Sequence, residues 1–302
     1  MKNNSLKLSI VIPTINRYSD LKNTLDCLYT QSFGAFEIII IDQTEDFEEI
    51  IGDKIRYYHT TSKSASKARN LGLKVALNEI ILFLDDDVLI DNKEFLSKHV
   101  RHYQKADTSG VSGAILDTSK KFESELTVKA QDPNFGWFYF PHNYNKEYSV
   151  ANGGSGNLSV RRDWAIHVGG MDERFEKGAF REETDFCLRY TKEYGNLIYD
   201  PNVNLIHLGN PIGGCRTWEN YNSVIHGKHH MFGRLPVRFW PTYSFAMLRR
   251  FIIHKKLSVR PYLIPIAIFT FTTAFLSALF YSLKEPLLIM KNPHSKKRCT
   301  IK

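Results

Sequence analysis

A regular alternation of short apolar runs with amphipathic segments is the feature that most constrains how this chain can fold. Four runs of the first half are apolar or aromatic at nearly every position: residues 8–13, 36–41, 55–58 and 80–84. Such runs predict strands that are buried on both faces of a sheet. Between them, apolar residues recur at helical spacing, as at Leu21, Leu25 and Leu28 and across residues 64–77. Strands alternating with helices predict an α/β fold with a doubly wound, mostly parallel sheet.

Polar residues follow directly where three of these predicted strands end. Thr14 follows the first strand, Asp42 follows the second, and Asp85, Asp86 and Asp87 follow the fourth. Ligands of open parallel sheets bind beyond the carboxyl ends of the strands. Three adjacent carboxylates repel one another unless solvent or a cation lies close, and oxygen ligands suit Mg²⁺ or Mn²⁺. An acidic helix start is the alternative explanation, but the position at the strand edge favours a metal site.

The second half of the chain is less periodic and contains two further candidate segments. Residues 135–148 include seven aromatic side chains, among them Trp137, which form either a packed loop or a wall for sugar stacking. Residues 152–157 form a glycine-rich turn before a strand-like stretch, 158–160.

Three acids gather at the start of a predicted helix, residues 183–194. Glu182, Glu183 and Asp185 either complement the helix dipole or include a general base. A carboxylate close to other carboxylates can have a raised pKa, which suits a base. Beyond this helix, residues 197–207 are predicted to be extended and end on an isolated histidine.

Length and charge distribution indicate a catalytic domain followed by a distinct C-terminal region. The chain has 302 residues, and we place the domain at 1–230, in two halves divided at about residue 116. Residues 231–302 carry a net charge of +12, whereas the preceding residues sum to −4. A nucleic-acid binder would carry its basic residues on the folded domain. We therefore expect anionic lipid, and no nucleic acid, as the partner of this region.

Residues 262–283 form a stretch of 22 without a charged side chain, which is long enough for one bilayer crossing. Pro265 and several threonines suit a tilted, kinked or re-entrant segment. Basic residues flank the stretch on both sides and leave its orientation open. Four scattered cysteines argue for a reducing compartment, and the polar start of the chain argues against a signal peptide. We expect attachment to the cytoplasmic face of a membrane through this region.

Seven signals occur in a fixed order along the chain. They are IVIPTINR, IIIIDQT, ARNLGLKVA, ILFLDDDV, SGNLSVRRDWAIHVGGMDERF, REETDFCLR and then the isolated histidine. This ordered set resembles the family 2 glycosyltransferases, which have the GT-A fold, over about residues 6–207. The resemblance implies sugar transfer with inversion from a nucleotide-diphosphate donor, assisted by Mg²⁺ or Mn²⁺. It also implies that the half of the domain up to about residue 116 binds the nucleotide and that the half from 117 to 230 is the acceptor side.

The resemblance implies nucleotide-binding roles at the first strand ends. Pro13 and Thr14 match the motif that lines the base pocket, and Arg17 lies where that loop approaches the nucleotide. Asp42 matches the acid that hydrogen-bonds the base. Arg69, in the ARN motif, is at a position with a diphosphate or structural role.

For the metal site, the resemblance implies roles in the acidic run. Asp85 and Asp87 match the outer acids of an Asp-x-Asp motif, which contact the ribose and the metal, and Asp86 holds the middle position on the nucleotide side. His207 lies where some relatives place a histidine on the metal or the diphosphate, although a lone histidine is also often structural.

On the acceptor side, Glu182 and Glu183 fall on a Glu-Asp motif whose second residue is commonly the base. Glu183 is therefore the implied base, with Asp185 and Glu182 in reserve, and Trp137 is a candidate acceptor contact. The turn before the acceptor-side strand consists of Gly154, Ser155, Gly156 and Asn157.

We therefore expect a metal-dependent, inverting glycosyltransferase that uses a UDP- or dTDP-linked sugar and a saccharide or lipid-linked saccharide acceptor. A sugar nucleotidyltransferase is one alternative, but that class carries a glycine-rich phosphate loop that IVIPTINR lacks. A non-catalytic nucleotide- or glycan-binding module is another. An intact Asp-x-Asp motif and an acid at the base position argue against that module.

Overall fold

The computed structural model describes residues 6–116, 143–173, 175, 182–209 and 214, with seven separate positions between 262 and 276. The strands in these residues are β1 Leu8–Thr14, β2 Phe36–Asp42, β3 Ile55–His59, β4 Ile80–Leu84, β5 Val88–Leu89, β6 Gly110–Leu116, β7 Tyr148–Val150, β8 Asn157–Arg161 and β9 Leu197–His207. The helices are α1 Tyr18–Tyr29, α2 Ala65–Val75, α3 Phe95–His102, α4 Arg162–His167 and α5 Glu182–Tyr194.

The four strands predicted for the first half are confirmed and are parallel. β1 lies between β2 and β4, and β2 also pairs with β3. Alternate side chains of these strands face opposite sides, so that Ile10 packs with α1 and α3 while Val11 packs with α2 and α5. Because helices cover both faces, every residue of β2 and β4 is buried, which explains the continuous apolar runs.

The prediction of a mostly parallel sheet is wrong beyond β4, where the described sheet is mixed. The strand order is β3-β2-β1-β4-β8-β6-β9-β5, and β7 also pairs with β9. β8 is antiparallel to both β4 and β6, whereas β6 and β9 are parallel. Strand direction depends on where the preceding connection leaves the chain, and apolar patterning does not encode that.

The sheet brings the carboxyl ends of several strands to one edge. Thr14 lies opposite Asp42 in the β1–β2 register, and Asp42 lies opposite His59 in the β2–β3 register. β9 and β5 are the last two strands in the strand order, and there His207 pairs with Val88, the residue that directly follows the acidic run. The edge predicted to hold polar chemistry is therefore assembled from both halves of the chain.

The chain divides into two compact units. The first comprises Met1–Glu173 and Glu182–Arg216, and the second comprises Arg174–Arg181 and Thr217–Lys302. None of the helices within the described residues has the length and apolar character needed to traverse a bilayer. The domain boundary near residue 230 and the membrane role of residues 262–283 stay predictions, and Trp137 lies outside the described residues.

Candidate active site

The three consecutive acids after β4 have different surroundings. Asp86 points inward, where its Oδ2 accepts a hydrogen bond from the Thr14 hydroxyl at 2.7 Å and its Oδ1 lies 3.2 Å from the Arg17 guanidinium. Burial raises the pKa of Asp86 to about 6, against the hydrogen bond from Thr14, which lowers it. Asp86 therefore links the end of β4 to Thr14 and Arg17. Its predicted contact with the nucleotide stays a prediction.

Asp85, Asp87 and His207 converge on one point. One ligand atom from each lies within 4.8 Å of the others. Nε2 of His207 is 3.1 Å from Oδ1 of Asp87 and 3.4 Å from Oδ2 of Asp85. Burial lowers the pKa of His207, but its contacts with the two carboxylates outweigh burial and raise the pKa to about 9.

The Asp87 carboxylate fits a metal ligand. Both of its oxygens are buried, and neither accepts a hydrogen bond from the described residues, although two cationic groups approach them. A buried carboxylate without hydrogen bonds is destabilising unless a cation compensates its charge. Two carboxylates and an imidazole are suitable ligands for a divalent ion such as Mn²⁺ or Mg²⁺. The side chains at this point therefore fit a divalent cation.

Asp42, at the end of β2, is enclosed by three donors. Its Oδ2 accepts hydrogen bonds from the hydroxyls of Tyr18 at 2.6 Å and Tyr57 at 2.7 Å, and its Oδ1 accepts one from the Thr44 N–H at 2.8 Å. Burial raises the pKa of Asp42, but these hydrogen bonds outweigh burial and hold the pKa below its usual value. Because Asp42 has no exposed surface, a nucleotide base reaches it only if one of these groups moves.

Arg69, on α2, connects the acidic run to α5. One guanidinium nitrogen lies 2.8 Å from Oδ1 of Asp85 and another lies 3.1 Å from Oε1 of Glu182. Burial lowers the pKa of Arg69, but the surrounding carboxylates outweigh burial and raise it. The guanidinium is therefore a buried positive charge shared by two acids from different parts of the sequence.

Two adjacent acids at the start of α5 form an unequal pair. Burial raises the pKa of Glu182, and the neighbouring Glu183 carboxylate raises it further, against the opposing effect of Arg69. Glu182 is buried, whereas Glu183 is partly exposed. The two acids therefore differ in surroundings: Glu182 lies in the interior beside Arg69, and Glu183 lies closer to solvent.

Asp185, the third acid of α5, is held in a buried ion pair. Its Oδ2 lies 3.0 Å from Nε and 2.8 Å from a terminal nitrogen of Arg189. Arg189 also donates to the carbonyls of Val168 at 2.6 Å and Gly170 at 2.7 Å. Arg189 therefore anchors α5 to the loop at 168–170, and Asp185 holds the Arg189 side chain in place.

Residues 9–169 match the family model described as Glycosyl transferase family 2, which is more than half of the chain. The chain belongs to this family. The mixed α/β sheet and the ordered motifs agree with this membership. Membership of a glycosyltransferase family argues against the alternative of a sugar nucleotidyltransferase.

Individual family members match parts of the chain. An uncharacterized glycosyltransferase of Rickettsia felis is 32% identical over 123 residues, which cover 34% of this chain and 20% of that protein. The match thus spans about a fifth of that relative's length. TarS of Staphylococcus aureus, a poly(ribitol-phosphate) beta-N-acetylglucosaminyltransferase, is 29% identical over 143 residues, covering 41% of this chain and 25% of TarS.

Solved structures show the same fold. The crystal structure of S. aureus TarS aligns with a TM-score of 0.54 at 16% identity, covering 79% of this chain and 42% of that one. The mannosyltransferase PcManGT from Pyrobaculum calidifontis, solved in complex with GDP-Man and Mn²⁺, aligns with a TM-score of 0.54 at 14% identity. It covers 95% of this chain and 81% of that one.

The glycine-rich turn predicted for the acceptor side lies directly against the acidic run. The N–H of Asn157 donates to the carbonyl of Gly154 at 3.0 Å and closes the turn, in which Ser155 is buried. A side chain at Gly156 would place its Cβ 2.6 Å from Oδ2 of Asp85. Glycine at this position therefore lets the turn approach a candidate metal ligand.

The side chain of Asn157 points into the core. Its amide donates to the carbonyls of Ala114 and Val203 at 3.1 and 3.0 Å, and its oxygen lies 2.9 Å from Nε2 of His99. The Asn157 side chain therefore ties β6, β9 and α3 together and does not face the site edge.

Asn70, beside Arg69 in the ARN motif, fixes the loop that precedes α5. Its side chain accepts from the N–H of Met171 and donates to the carbonyl of the same residue, both at 2.8 Å. Gly170 has a φ of +66°, and a side chain there would collide with Asn70. Glycine at position 170 is thus needed both for the left-handed backbone conformation and for close packing against Asn70.

Four residues that shape the site were not predicted from sequence: Tyr18, Tyr57, Asn70 and Arg189. Arg189 had a local signal, because it follows Asp185 by four residues on a helix, a spacing typical of ion pairs. The two tyrosines had none, since their partner Asp42 lies on a different element.

Proposed function

We propose that this family 2 member is a metal-dependent, inverting glycosyltransferase that acts on a nucleotide-diphosphate sugar and a hydroxyl of a saccharide or lipid-linked saccharide. The observation that carries the proposal is the convergence of Asp85, Asp87 and His207 at the edge of the parallel strands. Arg69 connects this cluster to the acid pair of α5. Donor-side and base-side groups are therefore held in one arrangement.

On the donor side, Asp85, Asp87 and His207 hold the divalent ion in this proposal. When bound, the ion neutralises the charge of the leaving diphosphate. The loop that carries Thr14 and Arg17 adjoins Asp86, which supports a nucleotide position over the ends of β1 and β4. In this proposal the nucleotide base lies beside Asp42, and Tyr18 or Tyr57 moves when the base reaches the carboxylate.

On the acceptor side, Glu183 is the general base and removes the proton of the attacking hydroxyl. Its side chain is partly exposed and can meet a substrate hydroxyl, whereas its neighbour Glu182 is buried against Arg69. The reserve candidate Asp185 is committed to Arg189 and is fully buried. The surroundings of the three acids thus favour Glu183.

The substrates are proposed from the sequence and from the names of similar proteins. UDP- and dTDP-linked sugars are the first donors to test, and GDP-mannose is added because PcManGT was solved with it. TarS is named for a poly(ribitol-phosphate) acceptor, so an envelope polymer or polysaccharide intermediate belongs among the acceptors.

The test is a panel of nucleotide sugars assayed with the full chain for donor hydrolysis and transfer, with Mn²⁺ and with EDTA. We expect one donor class to react only with metal, and NMR of the initial product should show an inverted anomeric centre. Retention of configuration, or equal rates in EDTA, would contradict the proposal. Formation of pyrophosphate from a nucleoside triphosphate and a sugar phosphate would instead indicate a nucleotidyltransferase.

The proposal includes attachment to the cytoplasmic face of a membrane through residues 231–302. Their net charge of +12 and the uncharged stretch 262–283 support it. Within that stretch, the described side chains of Ile264, Ile268, Phe269 and Leu276 are helical and exposed. Apolar side chains left in contact with solvent favour burial in lipid.

A further inference from the structure

We propose that Arg17 is the resident counter-ion of the metal site. It neutralises Asp86 and Asp87 while no divalent ion is bound, and for that reason it opposes binding of the ion in the absence of the nucleotide. This inference rests on the metal dependence proposed above and assigns to Arg17 a role beyond approach to the nucleotide.

The contacts of Arg17 support a charge-compensating role. One guanidinium nitrogen lies 3.2 Å from Oδ1 of Asp86 and 3.1 Å from Oδ2 of Asp87. The three side chains are almost fully buried, with exposed fractions of 5%, 6% and 1% for Arg17, Asp86 and Asp87. Consecutive buried carboxylates repel each other strongly, so a buried cation between them stabilises the fold when no metal does.

The backbone around Arg17 fixes the guanidinium in this place. The carbonyl of Arg17 accepts the N–H of Leu21 at 2.9 Å, so the residue directly precedes the first turn of α1. Asn16 adopts a left-handed conformation with φ of 55°, and its N–H donates to the Thr44 hydroxyl at 2.9 Å. On the other side, the backbone of Gly214 packs against the guanidinium. A preorganised arginine of this kind acts on the acids without reordering the loop.

Arg17 and His207 approach different oxygens of Asp87. Arg17 lies 3.1 Å from Oδ2, whereas His207 lies 3.1 Å from Oδ1. An ion held by Asp85, Asp87 and His207 therefore does not need to displace Arg17, but it binds close to a fixed positive charge. That repulsion weakens metal binding until a diphosphate adds negative charge. Arg17 thereby couples binding of the ion to binding of the nucleotide.

The experiment compares Mn²⁺ affinity, measured by EPR or calorimetry without nucleotide, for the full-length wild type and variants of Arg17. Arg17→Met keeps much of the side-chain volume but removes the charge, and we expect it to bind Mn²⁺ at least tenfold more tightly than wild type. Arg17→Lys keeps the charge and should stay within about threefold of wild type. Lys22→Met, on the exposed face of α1, is the matched control and should change nothing. If wild type binds Mn²⁺ and Arg17→Met binds it no more tightly, the proposal is overturned.

A second measurement separates this inference from the proposed metal dependence. In EDTA, Arg17→Met should unfold at a lower temperature than wild type, and adding Asp86→Asn should restore part of the loss because one repelling charge is gone. If no protein binds Mn²⁺ but the double variant recovers stability, the metal dependence fails and the counter-ion role stands. If the double variant is no more stable than Arg17→Met, the counter-ion role is wrong. Folding of Arg17→Met only in the presence of Mn²⁺ would support the role directly.

Discussion

A guanidinium nitrogen of Arg69 lies 3.1 Å from the Glu182 carboxylate, which joins two residues 113 positions apart in sequence. The same side chain also holds Asp85 at 2.8 Å. One buried cation therefore fixes the relative positions of an acid that follows β4 and an acid that begins α5.

Replacing Arg69 should disturb both halves of the site. Arg69→Gln leaves two carboxylates without their cation, and breaking a buried ion pair typically costs about 3–5 kcal/mol. We expect a clearly lower melting temperature and a fall in kcat, measured by thermal unfolding and by transfer assays. Lys67→Gln on the exposed face of α2 is the control. Wild-type stability in Arg69→Gln would show that the bridge is dispensable.

The identity of the base is tested by two neighbouring substitutions. Glu183→Gln keeps the shape but cannot take the proton, so kcat should fall roughly 10²- to 10⁴-fold while donor binding persists. Asp185→Asn should act mainly on stability, because Asp185 holds Arg189 and the loop before α5. If Asp185→Asn is folded but inactive while Glu183→Gln transfers sugar normally, Asp185 is the base.

Metal binding is tested at Asp87. Asp87→Ala should abolish transfer and remove the Mn²⁺ dependence of nucleotide binding, because a buried ligand of the cluster is lost. Calorimetry with nucleotide, with and without Mn²⁺, measures this directly. Asp91→Ala, an exposed acid nearby, should behave as wild type. Unchanged metal-linked affinity in Asp87→Ala would remove Asp87 from the site.

Stability in mild acid should depend on His99, which lies in the core far from solvent. Burial lowers the pKa of His99 to about 4, so between pH 6.5 and 4 the unfolded chain binds the proton that the folded chain does not. The contribution is complete above pH 6.5 and is lost as the pH falls toward 4, by about 3 kcal/mol at most. The free energy of unfolding, measured with denaturant at several pH values in this range, should change less with pH for His99→Gln than for wild type. Exposed His167→Gln should keep the wild-type slope.

Membrane attachment should depend more on apolar burial than on charge. Each basic residue near an anionic surface contributes about 1 kcal/mol and is screened by salt. An apolar stretch of 22 residues contributes far more and is insensitive to salt. The full-length protein should therefore remain with membranes after high-salt and carbonate washes. A chain ended at Arg260 should bind anionic vesicles at low salt only. Release of the full-length protein by salt alone would reduce the attachment to electrostatics.

Local sequence patterns were sufficient to predict the elements of the first half of the chain. β1 to β4 and α2 were predicted close to their observed bounds, and α1 from its apolar face, because strand and helix periodicities depend on neighbouring residues. The acids Asp42, Asp85 and Asp87 were placed at one edge for the same reason, since parallel strands end together. The ordered motifs were sufficient to indicate the family.

The contacts between these groups could be read only from the folded chain. The reversed direction of β8, the bridge from Arg69 to Glu182 and the enclosure of Asp42 by Tyr18 and Tyr57 all join residues distant in sequence. No local pattern encodes such contacts, because they depend on how the sheet is connected and on which side chains meet across it. The arrangement of charge at this site is thus a property of the packed sheet and its helices, while the residue types that carry the charge are written in the sequence.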